Sequence, residues 1–334
     1  MGNEILSQTG LREGFESRKL SINPDDPSNS INDLATRFDV SYETALYTVG
    51  YGYQWGWLSP VRSPHYPGAG FEQVAVNPGS RILRFGLPSE FAFYMDNEAF
   101  GNRQGSYSAY DINPLSIARS QHYIGQRGIS DSEALLHNLA CPLEGQDQTA
   151  DLIVSEFLFE GMEHQTARSI MNTAHQALKD DGAFVVKFVA VSDEEAVRTH
   201  DGMRAKAELW KRPVKEDLPF DWANIASAER SEARSLGIAY ADHVYAMNYT
   251  RQPGLVTFRN LADFLHFATM NNFAVESQHK IIQTSQESVG LVTADDTSSE
   301  GVFMVRLVKK PEADMSEAIE RANLRRERML NRRR

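Results

Sequence analysis

The stretch from residue 151 to residue 190 constrains the fold more than any other part of the chain. A short apolar run at 152–154 is followed by apolar residues at helical spacing over 167–178. An Asp-Asp-Gly sequence at 180–182 then predicts a turn, and a second apolar run occupies 183–186. Strand, helix, turn and strand within about forty residues predict a right-handed βαβ crossover in a parallel sheet.

Each of the two predicted strands carries a charged residue at its carboxyl end. Glu156 follows the first apolar run, and Lys187 follows the second. The carboxyl ends of neighbouring parallel strands lie at one edge of a sheet, and open α/β sheets bind their ligands at that edge. We therefore predict that Glu156 and Lys187 form a pair in a functional site.

An earlier segment has the pattern of the first strand and turn of a Rossmann-type sheet. Arg81–Gly86 (RILRFG) is a short strand ending in glycine, and Leu87, Pro88 and Ser89 continue the turn. Glycine at this position lets a ligand approach the backbone closely, although a single glycine is a weak signal.

The second predicted strand, Tyr107–Tyr110, ends at Asp111. An acidic residue at this position is well placed to bind ribose hydroxyls. A helix is predicted to start at Asn113-Pro114, so Asp111 is also a candidate N-cap, unless Asn113 caps the helix instead. A third strand region and the loop that leaves it are predicted over 133–143.

The remaining segments define the predicted domain organisation. A helix over 261–268 and strands over 273–282 and 302–308 complete a sheet domain at 80–310, with a polar loop between those two strands and a helical insertion at 191–256. Residues 1–79 form an N-terminal arm and a helical, aromatic extension. Its Tyr and Trp residues over 47–57 either stack on bases or pack the extension onto the domain. The tail at 311–334 is basic.

Composition excludes several classes of protein. The chain has 334 residues, a formal net charge of −11 and one cysteine, with no apolar run long enough for a membrane span. These features predict a cytoplasmic protein with no membrane association and no intramolecular disulfide. The nine histidines show no metal-ligand spacing, so we predict no metal. Seven arginines against one glutamate over 321–334 indicate either a phosphate-contacting arm or a solvated helix end.

Three sequence strings together resemble the class I S-adenosylmethionine-dependent methyltransferases. The likeness is strongest to the FtsJ-like and viral ribose 2′-O-methyltransferases, including the coronavirus-type enzyme. The strings are RILRFG at 81–86, DLIVSE at 151–156 and LKDDGAFVVK at 178–187, and the resemblance covers roughly residues 80–310. It implies an α/β, Rossmann-like sheet that is mostly parallel with an antiparallel last strand and is flanked by helices. It also implies an S-adenosyl-L-methionine cofactor, an RNA cap ribose 2′-hydroxyl as acceptor, and a viral protein of the host cytoplasm that acts in mRNA capping.

The resemblance also assigns roles to individual residues. In the family's Lys-Asp-Lys-Glu tetrad, Lys187 is the base, Glu156 stands for the aspartate, and Glu300 stands for the glutamate. Lys19, in the N-terminal arm, is the candidate for the first lysine. The residues implied to bind the cofactor are Gly86, Leu87, Pro88, Ser89, Asp111, Ile112, Asn138, Leu139 and Ser155.

Elementary chemistry is consistent with a lysine base but leaves its pKa open. A ribose hydroxyl must lose its proton as it attacks a methyl group, and a lysine in a desolvated pocket has a lowered pKa. Neighbouring carboxylates raise that pKa, so the two effects compete.

Two departures from the family pattern leave alternative functions open. The glycine loop is reduced to one glycine, and no lysine lies between Lys19 and Lys179. A catalytically degenerate fold that serves as a binding or scaffold subunit would tolerate both departures, with a protein partner contacting the extension or the tail. A small-molecule methyltransferase with residues 191–256 as its substrate lid is the third hypothesis.

Overall fold

The computed structural model describes the sheet domain and a few residues outside it. The described residues are 33, 36–37, 68–87, 96, 99–100, 104–127, 129–159, 162–191, 230, 233–234, 237–242, 258–284, 289–296 and 298–310. Most of the N-terminal extension and of the 191–256 insertion, and all of the basic tail at 311–334, lie outside them. The predictions for those regions, and the predicted domain boundaries, stay predictions.

Eight strands form one sheet, with three α-helices and one 3₁₀ helix around it in the described residues. The strands are β1 (Ser80–Phe85), β2 (Gln104–Asp111), β3 (Ser132–Leu136), β4 (Ala150–Glu156), β5 (Leu178–Ala190), β6 (Phe273–Gln283), β7 (Val289–Thr293) and β8 (Gly301–Lys309). The helices are the 3₁₀ helix Phe71–Gln73, α1 (Pro114–Arg127), α2 (His164–Ala177) and α3 (Leu261–Met270).

The strand order is β3-β2-β1-β4-β5-β8-β6-β7. Strands β1 to β5 are mutually parallel, whereas β8 runs antiparallel to both β5 and β6, and β7 runs antiparallel to β6. The predicted fold class is therefore confirmed: a Rossmann-like, mostly parallel sheet with an antiparallel last strand and flanking helices. The order reverses between β1 and β4, and a switch of this kind opens a crevice at the carboxyl ends of the two strands.

Apolar side chains cover both faces of the sheet. On one face, α2 places Ala167, Ile170, Met171 and Ala174 against the sheet, which is the spacing of a single helix face. The other face packs against α1 and against residues 68–74. Strand β4 is apolar on both sides and almost wholly buried, as expected of a central parallel strand.

Two local predictions differ from the structure. Helix α2 passes directly into β5, and the pairing with β4 jumps from Ala150↔Leu178 to Ala183 opposite Leu152, so the predicted turn at 180–182 is a bulge within the strand. A Cβ on Gly182 would come within 2.8 Å of the Ala150 carbonyl oxygen, so this bulge requires glycine. The loop predicted before the last strand was wrong over Val289–Thr293, which forms the short edge strand β7.

None of the helices in the described part of the chain is long and apolar enough to cross a membrane.

Candidate functional site

Four of the predicted residues lie at or near the carboxyl ends of β1, β2, β4 and β5. Gly86 directly follows β1, Asp111 is the last residue of β2, and Glu156 is the last residue of β4. Lys187 lies directly opposite Glu156 on β5, and because β5 continues to Ala190, the prediction that this strand ends at Lys187 was wrong. The crossover thus produces the predicted pair, beside the topological switch between β1 and β4.

Glu156 and Lys187 form a buried ion pair. The Lys187 Nζ donates to Glu156 Oε1 at 2.6 Å, and the two side chains are 0% and 1% exposed. The Phe157 ring also contacts the ammonium group, with 5.0 Å between Nζ and the ring centroid. A charge pair with so little access to water interacts far more strongly than one at the surface.

Arg84 supplies a second cation to Glu156. It lies on the same sheet face, and its Nη2 donates to Glu156 Oε2 at 3.2 Å. Its Nη1 donates to both carboxylate oxygens of Asp96, at 2.8 and 2.7 Å. The Tyr107 hydroxyl donates to Asp96 Oδ2 at 2.6 Å. We call these five residues (Arg84, Asp96, Tyr107, Glu156 and Lys187) the buried charge network.

Sequence reasoning missed three members of this network: Arg84, Asp96 and Tyr107. One signal was available in the string RILRF. Residues two positions apart in a strand share a face, so the Arg84 side chain lies on the same buried face as that of Ile82. A charge on such a face requires a partner of opposite sign. Nothing in the sequence, however, identified Asp96 as that partner.

The buried charge network is balanced and covered. Its two cations and two carboxylates cancel formally. The backbone N–H of Gly68 completes it by donating to both Glu156 oxygens, at 3.1 and 3.3 Å. Phe71 packs against the Arg84 guanidinium, 5.8 Å from ring centroid to Cζ. Residues 68–71 thus lie over the pair, and Lys187 has no exposed surface in this conformation.

Burial and charge compete at both members of the pair. Burial lowers the pKa of Lys187, and the attraction of Glu156 opposes this without cancelling it, so the pKa lies below its ordinary value. Burial raises the pKa of Glu156, but the nearby Lys187 and Arg84 outweigh it, so that pKa lies below its usual range. The sequence left open whether burial or the carboxylates dominate the pKa of Lys187, and in the structure burial has the larger effect.

Asp111 holds the turn that follows β1. Its Oδ2 accepts from the backbone N–H of Leu87 at 2.5 Å, and its Oδ1 accepts from that of Asn113 at 2.7 Å. Burial raises the pKa of Asp111 to about 6, against the lowering effect of these donors. Asn113 accepts from the Leu115 N–H at 3.0 Å and so caps α1. The cap is therefore Asn113, and Asp111 belongs to the turn.

The other predicted site residues lie after β3, on β4, directly after Asp111, or outside the described residues. Asn138 and the buried Leu139 follow β3, where the Asn138 side chain accepts from the Ala140 N–H at 3.0 Å. Ser155 is fully buried, and its hydroxyl has no hydrogen-bond partner in the described residues. Lys19, Pro88 and Ser89 lie outside the described residues, and Ile112 follows Asp111.

Glu300 lies apart from the ion pair. It is exposed and directly precedes Gly301, which pairs with Ala190 on β5. Ala190 is three positions beyond Lys187, a distance of about 10 Å along the strand. The prediction that Glu300 acts with Lys187 stays a prediction.

Replacing Gly86 with alanine is expected to cost about 2–3 kcal/mol of stability, because it combines backbone strain with overpacking. Gly86 has φ +77°, and a Cβ there would come within 2.8 Å of Leu158 Cδ1. Gly145 has φ +69° with nothing within 4 Å of its Cβ position, so Gly145→Ala isolates the strain, at about 1 kcal/mol. Urea unfolding of both variants measures the difference. Equal losses of stability in the two variants would show that the Leu158 side chain moves aside without cost.

Comparisons with known proteins give matches of low similarity among solved structures. No protein-family profile matches it, and no curated protein sequence matches it. A TehB-like S-adenosylmethionine-dependent methyltransferase of Corynebacterium glutamicum is 14% identical, with a TM-score of 0.41, over 73% of this chain and 88% of that one. A methyltransferase of Aquifex aeolicus that depends on the same cofactor is 10% identical, with a TM-score of 0.41, over 72% and 90%.

Another solved structure at a comparable level of similarity is named for a different activity. A protein of Rhodobacter sphaeroides grouped with Zn-dependent alcohol dehydrogenases is 9% identical, with a TM-score of 0.44, over 72% of this chain and 87% of that one. At such low identity and TM-score, these similarities leave the activity of this chain to be argued from its own residues.

Proposed function

We propose that this protein is an S-adenosylmethionine-dependent methyltransferase that acts on a ribose 2′-hydroxyl of RNA, with the cap-proximal ribose as the first candidate. The observation that carries the proposal is the arrangement at the strand ends. Asp111 is bonded to the Gly86–Leu87 turn on one side of the topological switch, and the Glu156–Lys187 pair lies on the other. Asp111, the turn and the lysine–glutamate pair thus lie on the neighbouring strands β2, β1, β4 and β5.

The residues around the turn fit an adenosyl cofactor in part. The Asp111 oxygens accept from the backbone N–H groups of Leu87 and Asn113, and an ionised carboxylate offers about four acceptor positions, so capacity for ribose hydroxyls remains. The buried Ser155 hydroxyl, one strand away, still needs a partner. Leu158 fills the space beside the α-carbon of Gly86, so a ligand would approach the turn from its other side.

When bound, S-adenosylmethionine supplies a methyl group on a sulfonium, which is a strong electrophile. The chain's own task is to hold the acceptor oxygen in line with that methyl group and to take its proton. Lys187 suits the second task because burial lowers its pKa, and a base works best when its pKa is near the working pH. Glu156 orients the ammonium group at 2.6 Å and stabilises its protonated form.

Access to Lys187 requires a movement. Its side chain has no exposed surface, and Gly68 is bonded to the carboxylate beside it. A ribose hydroxyl reaches Nζ only when residues 68–71 are displaced from Glu156. RNA binding and opening of this cover are therefore coupled in the proposed enzyme.

The direct test is methyl transfer from labelled S-adenosylmethionine to a capped RNA. The matched control is the same RNA already methylated at the cap-proximal 2′-oxygen. Transfer to the first RNA alone is the expected result. Equal transfer to both RNAs would move the acceptor to another atom, and transfer only to small molecules would contradict an RNA substrate.

Cofactor binding is expected to depend on pH through Asp111. Its pKa of about 6 means that the carboxylate is mostly protonated at pH 5 and ionised at pH 7.5. Ribose hydroxyls donate best to the ionised form, so S-adenosylmethionine should bind up to about tenfold more tightly at pH 7.5 than at pH 5. Calorimetry of Asp111→Asn should show weaker binding with a flat pH profile. A wild-type profile just as flat would exclude Asp111 from the binding site.

A second function is favoured by one observation, the complete coverage of Lys187. A balanced network with no exposed surface at its lysine is also what a structural core requires. In that case the chain is a non-catalytic binding subunit with a methyltransferase-like fold. Binding of the cofactor product S-adenosylhomocysteine without methyl transfer to any RNA would favour this second function.

A further inference from the structure

We infer that Arg84 is a positioning residue that joins the Gly86–Leu87 turn to the Glu156–Lys187 pair. The inference rests on the proposed function, in which the turn contacts cofactor and the pair contacts the acceptor. It adds a residue, Arg84, that takes part in neither contact itself.

One guanidinium group bonds to three residues that lie in different directions. Its Nε donates to the Gly86 carbonyl oxygen at 2.9 Å, its Nη2 donates to Glu156 at 3.2 Å, and its Nη1 is held by Asp96 at 2.7 Å. The group is planar, so these directions are fixed relative to one another. A change in the position of Glu156 is thereby transmitted to the turn.

The Gly86–Leu87 peptide group is held at both ends. Its carbonyl oxygen accepts from Arg84, and its N–H donates to Asp111. The two bonds fix the orientation of the peptide plane, and Gly86, with φ +77°, would otherwise be free to rotate. Arg84 therefore sets the backbone surface of the turn as well as the position of Glu156.

Asp96, which anchors Arg84, lies away from both the cofactor turn and the acceptor site. Asp96 accepts from Arg84 and also from Tyr107, and these two bonds involve neither the Gly86–Leu87 turn nor Lys187. A purely structural ion pair would be complete with Asp96 alone. The additional bonds to Gly86 and Glu156 are what a positioning role requires.

The principal variant is the double substitution Arg84→Gln with Asp96→Asn, which removes one buried cation and one buried anion together. We expect hydrogen exchange of the Leu87 amide to accelerate at least about tenfold, and S-adenosylmethionine to bind at least about tenfold more weakly. Arg84→Lys keeps the charge but lacks the fork, and is expected to show the same direction of change. Tyr107→Phe, which removes the hydroxyl bonded to Asp96 and leaves the bonds of Arg84 to Gly86, Glu156 and Asp96 in place, should leave both measurements near wild type.

A pH profile separates positioning from general stabilisation. The groups that act on the charge of Lys187 are Glu156 on β4, Arg84 on β1 and Glu72 in the 3₁₀ helix. Arg84 favours the neutral lysine, so its neutral replacement raises the pKa of Lys187. The ascending limb of the methyl-transfer rate should therefore move to higher pH in the double variant.

The outcomes distinguish a failure of the inference about Arg84 from a failure of the proposed function. If the folded double variant keeps the wild-type Leu87 exchange rate, cofactor affinity and pH profile, the inference about Arg84 is overturned. If the wild type neither binds S-adenosylmethionine nor transfers methyl, the proposed function fails. The exchange rate of Leu87 then still decides whether Arg84 holds the turn.

Discussion

Glu156→Gln is expected to lower the free energy of unfolding by about 3–5 kcal/mol, because it leaves Arg84 and Lys187 buried with too little negative charge. Both cations have fully buried side chains, so water cannot replace the lost carboxylate. The Glu156 pKa lies below that of the unfolded chain, so the carboxylate stabilises the fold above the unfolded pKa. That stabilisation is lost as the pH falls through the folded pKa. Urea unfolding at pH 7 measures the loss.

The chain contains a matched control for this prediction. Lys179 and Asp151 also join β5 to β4 through a lysine–carboxylate bond, at 2.5 Å, but their side chains are 41% and 32% exposed. Lys179→Met should cost no more than about 1 kcal/mol. The double variant Glu156→Gln with Lys187→Met should recover much of the loss. Equal effects of the two single variants would contradict a tightly buried charge network.

Lys187→Met is expected to lower the rate of methyl transfer by about 10²–10⁴-fold, the usual contribution of a general base. The variant removes the proton acceptor while Arg84 still pairs with Glu156. Affinity for S-adenosylmethionine should stay within a few-fold of wild type, because Lys187 bonds to Glu156 on the β4–β5 side of the topological switch, whereas Asp111 and the Gly86–Leu87 turn lie on the other side. Single-turnover kinetics and calorimetry measure the two quantities separately.

Two results would count against Lys187 as the base. An unchanged rate in a folded Lys187→Met protein would make the buried charge network purely structural. A parallel loss of rate and cofactor affinity would indicate that the lysine supports the site only through its packing. Lys179→Met, in the same strand, controls for the removal of an amine.

The crossover was predictable from sequence because its signals are local. Apolar runs and helical spacing over 151–190 fixed two parallel strands, and parallel neighbours necessarily bring their carboxyl ends together. The contact between Glu156 and Lys187 followed from that geometry alone. Asp111 followed in the same way from the end of the second strand.

The rest of the site depends on contacts that no local pattern encodes. Asp96 lies 12 positions from Arg84, outside any strand, and only the folded chain brings it beneath the guanidinium. The cover formed by Gly68 joins residues 88 positions apart. Strand β7 was missed because its five residues, VGLVT, stand in a polar stretch and pair only at a sheet edge.

Calorimetric titration of the wild-type protein with S-adenosylmethionine and S-adenosylhomocysteine tests the central claim most directly, with Asp111→Ala as the comparison variant. The account predicts micromolar binding of both ligands by the wild type and its loss in an Asp111→Ala protein that still unfolds cooperatively. Absence of binding to either ligand by folded wild-type protein would contradict a methyltransferase site at the ends of β1 and β2.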